Sequence, residues 1–187
     1  QLPHSRHIFR ADKDEPRGML DMPEAIARSS DVYFYKLASE TGIDKLAAGL
    51  APFGYGRLTG IDISGEKPGV LPSPAWKKTA FKQRADQVWF PGDTVNLGIG
   101  QGYLLVTPLQ LAHIIGVIAE RGRNFRPRLV IGSRGADGRV TRVPPVEEQP
   151  VTGIAQQDWT TVIDAMIGTT TCARYCGTGH IAFAKTA

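Results

Sequence analysis

Two short stretches of this sequence carry side chains suited to acyl transfer. Ser29-Ser30-Asp31 stands where an apolar helix begins, and Lys185-Thr186 stands near the last residue. Splitting an amide by acyl transfer requires a nucleophile, a group that takes its proton, and a group that protonates the leaving amine. A serine hydroxyl beside a lysine can relay that proton, because lysine loses its charge readily when desolvated or set next to another cation. On this reading Ser29 supplies a relay hydroxyl, Asp31 a polar contact, and Lys185 with Thr186 a cation and a second hydroxyl. A plainer reading stands beside it: serine at a helix start is a common helix cap, and a lysine on a strand usually faces water. Ser64-Gly65-Glu66-Lys67 also spells the Ser-x-x-Lys pattern of an activated nucleophile. It follows the segment 59–63, which reads as a strand, and Pro68 comes directly after it. A buried helix start presenting Ser64 and Lys67 on one face is not expected there, so the match is a decoy.

Composition sets the frame for these residues. A chain of 187 residues with 42% hydrophobic and 21% charged side chains reads as globular, one domain or most of one. The net charge of +4 is spread along the chain, and the densest basic stretch, Trp76 to Arg84, reads as a solvated loop with no nucleic-acid partner. No segment approaches the roughly eighteen unbroken apolar residues of a membrane span. Cys172 and Cys176 form a lone C-x3-C without a second pair, which argues against zinc.

The elements that position these residues follow from caps and periodicity. Asp21 reads as an N-cap with Pro23 and Glu24 in the first turn. After Asp31, Phe34, Leu37 and Ala38 form one apolar stripe that Gly42 ends, and Thr41-Gly42-Ile43-Asp44 resembles a capping box for the next helix. Residues 51–102 are rich in Gly and Pro and read as a long irregular excursion. Thr107, Pro108 and Gln110 then open a helix that is apolar on nearly every side, expected to be buried and to end at Gly122. "RPRLVIGSR" reads as a strand with "GADGR" as its turn. A second amphipathic helix carries Trp159, Val162, Ile163 and Met166, and "HIAFAKTA" reads as a short terminal strand. The fold class is α+β, helices with an antiparallel sheet.

"ARSSDVYFYKLASETGIDKLAAGLAPFGYGRLTGIDISGE", "WFPGDTVNLGIGQGYLLVTPLQLA" and the final Lys-Thr resemble the transpeptidase domain of class B penicillin-binding proteins. Aspartate as the last residue of Ser29-Ser30-Asp31, and the Gly-Gln-Gly of "GIGQG", point to the elongation branch of that family. The resemblance implies the penicillin-binding protein and serine beta-lactamase-like fold, an antiparallel sheet packed with helices. It implies cross-linking of peptidoglycan stem peptides through a serine acyl-enzyme, with beta-lactams as trapping mimics. The family's second motif maps onto Ser29 (proton relay) and Asp31 (polar contacts), its third onto Lys185 and Thr186, which help bind the substrate carboxylate. The partners implied are stem peptides, beta-lactams and a glycan-polymerising membrane protein of the elongation machinery. The placement implied is an inner-membrane anchor outside this sequence with the catalytic domain in the periplasm.

Three departures from the family pattern accompany the match. The leading Ser-x-x-Lys motif should precede the second motif by several tens of residues, and none of the 28 residues before Ser29 spells it. Residues 1–187 are therefore expected to be a transpeptidase fragment lacking the nucleophile segment, the anchor and the pedestal. The third motif should continue into glycine, which lets backbone approach substrate closely; here Ala187 follows Thr186. At the positions of the zinc ligands that some members carry, the nearest residues are Ala11 or Asp12, Arg17 and Ser30, the wrong donors for zinc. His4 and His7 read as solvated, and no metal or cofactor is expected. Two alternatives share the fold: a non-catalytic module that recognises muropeptide or beta-lactam, and a serine beta-lactamase.

Overall fold

The computed structural model describes residues 18–171. They divide into two compact units, the first comprising the chain up to Leu46, Pro72–Tyr103 and the chain from Ala155, the second Ala47–Leu71 and Leu104–Ile154.

The described residues of the first unit form helices and their connections. Asp21 caps α1 (Met22–Ala27), its Oδ1 accepting the Glu24 amide at 2.9 Å. α2 (Asp31–Thr41) ends at Gly42 as its sequence predicts. α1 packs on α7 (Gln156–Thr171), with Ala25 fully buried on one side and Trp159 on the other. α2 packs on α5 (Pro91–Gly98), and this contact requires glycine. A Cβ on Gly98 would lie 2.5 Å from the Ala38 Cβ and 2.9 Å from the Phe34 carbonyl oxygen. Phe34 and Ala38 thus form the working face of α2, while Leu37 of the expected stripe is 42% exposed.

The excursion expected over 51–102 contains more structure than its composition suggests: a 3-10 turn (Ala51–Phe53), α4 (Pro74–Ala80) and α5. Both helices start on local chemistry. Ser73 Oγ accepts the Trp76 amide at 3.1 Å with Pro74 next in line, and Asp93 Oδ2 accepts the Phe90 amide at 2.9 Å with Pro91 in the first position. Helices of 7 and 8 residues are too short for apolar periodicity to reveal them. α3 (Ile43–Leu50) follows Gly42 directly, and Thr41 is the last residue of α2 instead of a cap for α3.

In the second unit, α6 (Pro108–Ala119) opens with the expected reciprocal cap: the Gln110 amide donates to Thr107 Oγ1 at 3.1 Å, and the Thr107 amide to Gln110 Oε1 at 2.9 Å. Gln110 is fully buried, and its Nε2 donates to the carbonyls of Arg57 and Pro68 at 2.6 Å each, pinning the incoming loop. The expectation of a buried α6 is corrected. Only Gln110, Ile114 and Val117 are buried, at helical spacing, while Leu111 and Ile115 are 47% and 42% exposed. Four short strands, β1 (Asn124–Phe125), β2 (Gly132–Arg134), β3 (Val140–Arg142) and β4 (Glu147–Glu148), make two antiparallel ribbons, β1 with β4 and β2 with β3. The expected strand at 59–63 is not one: its backbone is irregular and bends at Asp62 and Ile63, and it is held by Glu66, whose carboxylate accepts from Thr59 N, Thr59 Oγ1 and Gly60 N. Among the described residues no helix is long and apolar enough to cross a membrane.

Candidate active site

The turn between α1 and α2 shows which of the two serines caps a helix. At the end of α1 the Ser30 amide donates to the Ala25 carbonyl at 2.9 Å and the Ser29 amide to that of Ile26 at 3.1 Å. This pair of bonds is a Schellman closure, and its pivot residue takes the left-handed conformation usually given to glycine. The pivot is Ser29, at φ 57°. Ser30, 2% exposed, caps α2, its Oγ accepting the Tyr33 amide at 3.4 Å. The two serines therefore divide the tasks: Ser30 closes the structure, and Ser29 is exposed on the turn. Arg121 at φ 54° makes the same closure after α6, which therefore ends at Ala119, ahead of the expected Gly122. A left-handed non-glycine residue costs roughly 1–2 kcal/mol, and such strain concentrates at functional turns. Asp31 follows in the first turn of α2, where the helix dipole favours a carboxylate.

α5, which supports α2, is held at both ends by one lysine. Lys77 of α4 is 2% exposed, and its Nζ lies 2.6 Å from Asp93 Oδ2 at the start of α5. The same ammonium stands over the ring of Tyr103, 4.8 Å from its centre, beyond the other end of α5. Trp89 and Phe90 complete an aromatic surround at 5.8 and 5.2 Å. Burial alone pushes the Lys77 pKa down, but the Asp93 carboxylate outweighs it and raises the value above 10.5. Between the two grips runs Gly100-Gln101-Gly102, both glycines at positive φ, with the Gln101 amide bonded to the Asn96 carbonyl at 2.9 Å. Lys77 lay within the stretch read as a solvated loop, and its burial corrects that reading, whereas Lys78, Lys82 and Arg84 are exposed as expected. Ser73-Pro74 was the available signal: it starts a helix whose third position after the proline points Lys77 inward.

Ser29 and Asp31 share one turn of the first unit. Ser64 and Lys67 lie in the second unit, both exposed in irregular backbone, an arrangement that gives neither a desolvated lysine nor a helix start. Lys185, Thr186 and Ala187 lie outside the described residues, as do His4, His7, Ala11, Asp12, Arg17, Cys172 and Cys176. The second unit also has a cavity of about 510 Å³ lined by Arg57, Thr59, His113, Asn124 and Glu148, with His113 Nε2 2.7 Å from Asn124 Oδ1.

Helices with short antiparallel strands define an α+β domain. Residues 5–185 match the family described as penicillin binding protein transpeptidase domain, and the chain belongs to that family. It is 37% identical over 187 residues to the peptidoglycan D,D-transpeptidase MrdA of Escherichia coli strain K12, covering 99% of this chain and 28% of that protein. The chain thus spans less than a third of the length of this relative. Pseudomonas aeruginosa PBP2, solved in complex with WCK 5153, superposes with a TM-score of 0.78 at 36% identity, over 98% of this chain and 40% of that one. PBP2 of Helicobacter pylori, solved in complex with MreC, gives 0.75 at 30% identity, over 92% and 29%.

Proposed function

We propose that this domain belongs to a peptidoglycan D,D-transpeptidase of cell elongation, in which Ser29 is the proton relay. The observation that carries the reading is the division of labour at the turn. Because Ser30 alone caps α2 and the left-handed backbone of Ser29 is what closes α1, the exposed Ser29 hydroxyl itself has no capping task. A hydroxyl accepts a hydrogen bond on a lone pair while donating its own proton, so Ser29 can pass a proton without ionising. In the reaction, the hydroxyl oxygen of the catalytic serine bonds to the carbonyl carbon of the penultimate D-Ala as its proton passes to the lysine of the same Ser-x-x-Lys segment. The amide C–N bond breaks, and the departing D-Ala nitrogen receives a proton through Ser29. Asp31 contacts substrate or its neighbours, and Lys185 with Thr186 recognises the substrate carboxylate. The catalytic serine itself belongs to a Ser-x-x-Lys segment preceding this sequence, not to Ser64. The setting is an anchored inner-membrane protein with this domain in the periplasm, working beside a glycan-polymerising membrane protein.

The test is Ser29→Ala in the full-length enzyme. Acylation by a labelled penicillin should slow roughly a hundredfold or more, the range for loss of a proton-transfer group. Unchanged acylation would remove Ser29 from the mechanism. Intact-mass mapping adds a second check: an adduct on Ser64 would overturn the placement of the nucleophile upstream.

A further inference from the structure

We infer that Lys77 is a positioning residue for the relay serine, acting by gripping both ends of the segment on which the second-motif helix rests. This rests on the reading of Ser29 given above. The grip is geometric. Lys77 Nζ holds Asp93 at 2.6 Å at the first turn of α5 and stands over the Tyr103 ring, 4.8 Å from its centre, after the helix ends. The whole of α5 and the Gly100-Gln101-Gly102 turn lies between these two points. α5 in turn meets α2 with no spare space, since Gly98 abuts Ala38 and the Phe34 carbonyl. α2 begins at Asp31, directly after Ser29 and its cap Ser30. A shift of α5 is therefore passed to the Ser29 turn by packing, without a gap that would absorb it. A buried ion pair is weak ground for stability, because apolar side chains of similar volume often serve as well there or better. What the pair supplies, and an apolar pair does not, is direction: one ammonium between a carboxylate and an aromatic face sets where both ends of α5 stand.

The experiment uses the full-length enzyme and a double substitution, Lys77→Met with Asp93→Leu, which removes both charges together. Melting curves establish that the variant is folded at the assay temperature. Acylation by a fluorescent penicillin should then slow about tenfold, a modest displacement of a catalytic group. The same pair of substitutions made on top of Ser29→Ala should slow acylation by less than about twofold, because the residue through which Lys77 acts is already gone. A purely structural role predicts that the two losses multiply, and that result overturns the inference, as does an apolar pair that acylates at the native rate. Failure of the relay reading looks different: Ser29→Ala alone would leave acylation intact, and the inference would fall with it. Tyr103→Leu is the milder variant should the double substitution not fold. Losing the ring face under the ammonium, it should slow acylation about threefold with the same non-additivity against Ser29→Ala, and multiplication there likewise overturns the inference.

Discussion

Ser29 and Ser30 are chemically identical and adjacent, yet backbone conformation gives them opposite consequences on substitution. Ser30→Ala deletes the cap of α2 and should cost about 1 kcal/mol. Ser29→Ala keeps the left-handed backbone and removes only an exposed hydroxyl, so stability should change by less than about 0.5 kcal/mol. Ser29→Gly relieves the strain at φ 57°, and should leave stability unchanged or raise it by up to about 1 kcal/mol after the added chain entropy of glycine is counted. Thermal denaturation of the three variants gives the order directly: Gly at 29 highest, Ala at 29 near native, Ala at 30 lowest. A cap role for Ser29 predicts the reverse, with both substitutions at 29 destabilising. The sequence showed that one of these serines starts a helix, but not which, because a cap differs from its neighbour only in φ and ψ.

Two glycines of the helices make opposite predictions. Gly98→Ala drives a methyl group into Ala38 and the Phe34 carbonyl, and overpacking of this kind should cost about 1–3 kcal/mol. Gly116 lies inside α6 with nothing within 4 Å of an added Cβ, so Gly116→Ala should stabilise by about 0.5–1 kcal/mol through helix propensity. Urea denaturation of both variants checks the pair, and a loss at 116 or a gain at 98 would contradict this description of the packing. At this scale the sequence was most legible where a cap spelled a helix start, as at Asp21 and at Thr107 with Gln110. It was least legible between 51 and 102, where helices too short for a periodic signal are fixed by Ser73, Asp93 and the buried Lys77. A lysine in a basic run is normally solvated, and only a partner 16 residues away, Asp93, reverses that. The apolar surround of α6 misled for a related reason: periodicity reports which faces can be buried, not how many neighbours arrive to bury them.

Across the whole molecule, two carboxylates of the second unit and a lysine of the first have displaced pKa values that set opposite pH limits. In the second unit, burial pushes Glu66 up, but the Thr59 hydroxyl and the Thr59 and Gly60 amides outweigh it and bring it below 4.5. Asp62 is held below 3.8 by the amides of Leu129 and Val130, which it meets at 2.7 and 3.0 Å across 67 residues of sequence. Carboxylates with depressed folded values contribute stability that is present above their unfolded pKa and is lost as pH falls through the folded value. These tethers should therefore hold at neutral pH and weaken below about pH 4, a window that begins at the ordinary carboxylate range. In the first unit Lys77 is raised above 10.5, so its contribution is complete below that value and is lost only as pH climbs through the higher folded one. Amide exchange followed by NMR should accordingly show Thr59, Gly60, Leu129 and Val130 losing protection on acidification while Gly42, whose amide donates to the Ala38 carbonyl, keeps its own. Glu66→Gln should abolish the acid response at Thr59 and Gly60 alone, and Asp62→Asn that at Leu129 and Val130 alone. Loss of protection at all five amides together, unaffected by either substitution, would mean that acid unfolds the molecule globally and that these carboxylates are not its trigger.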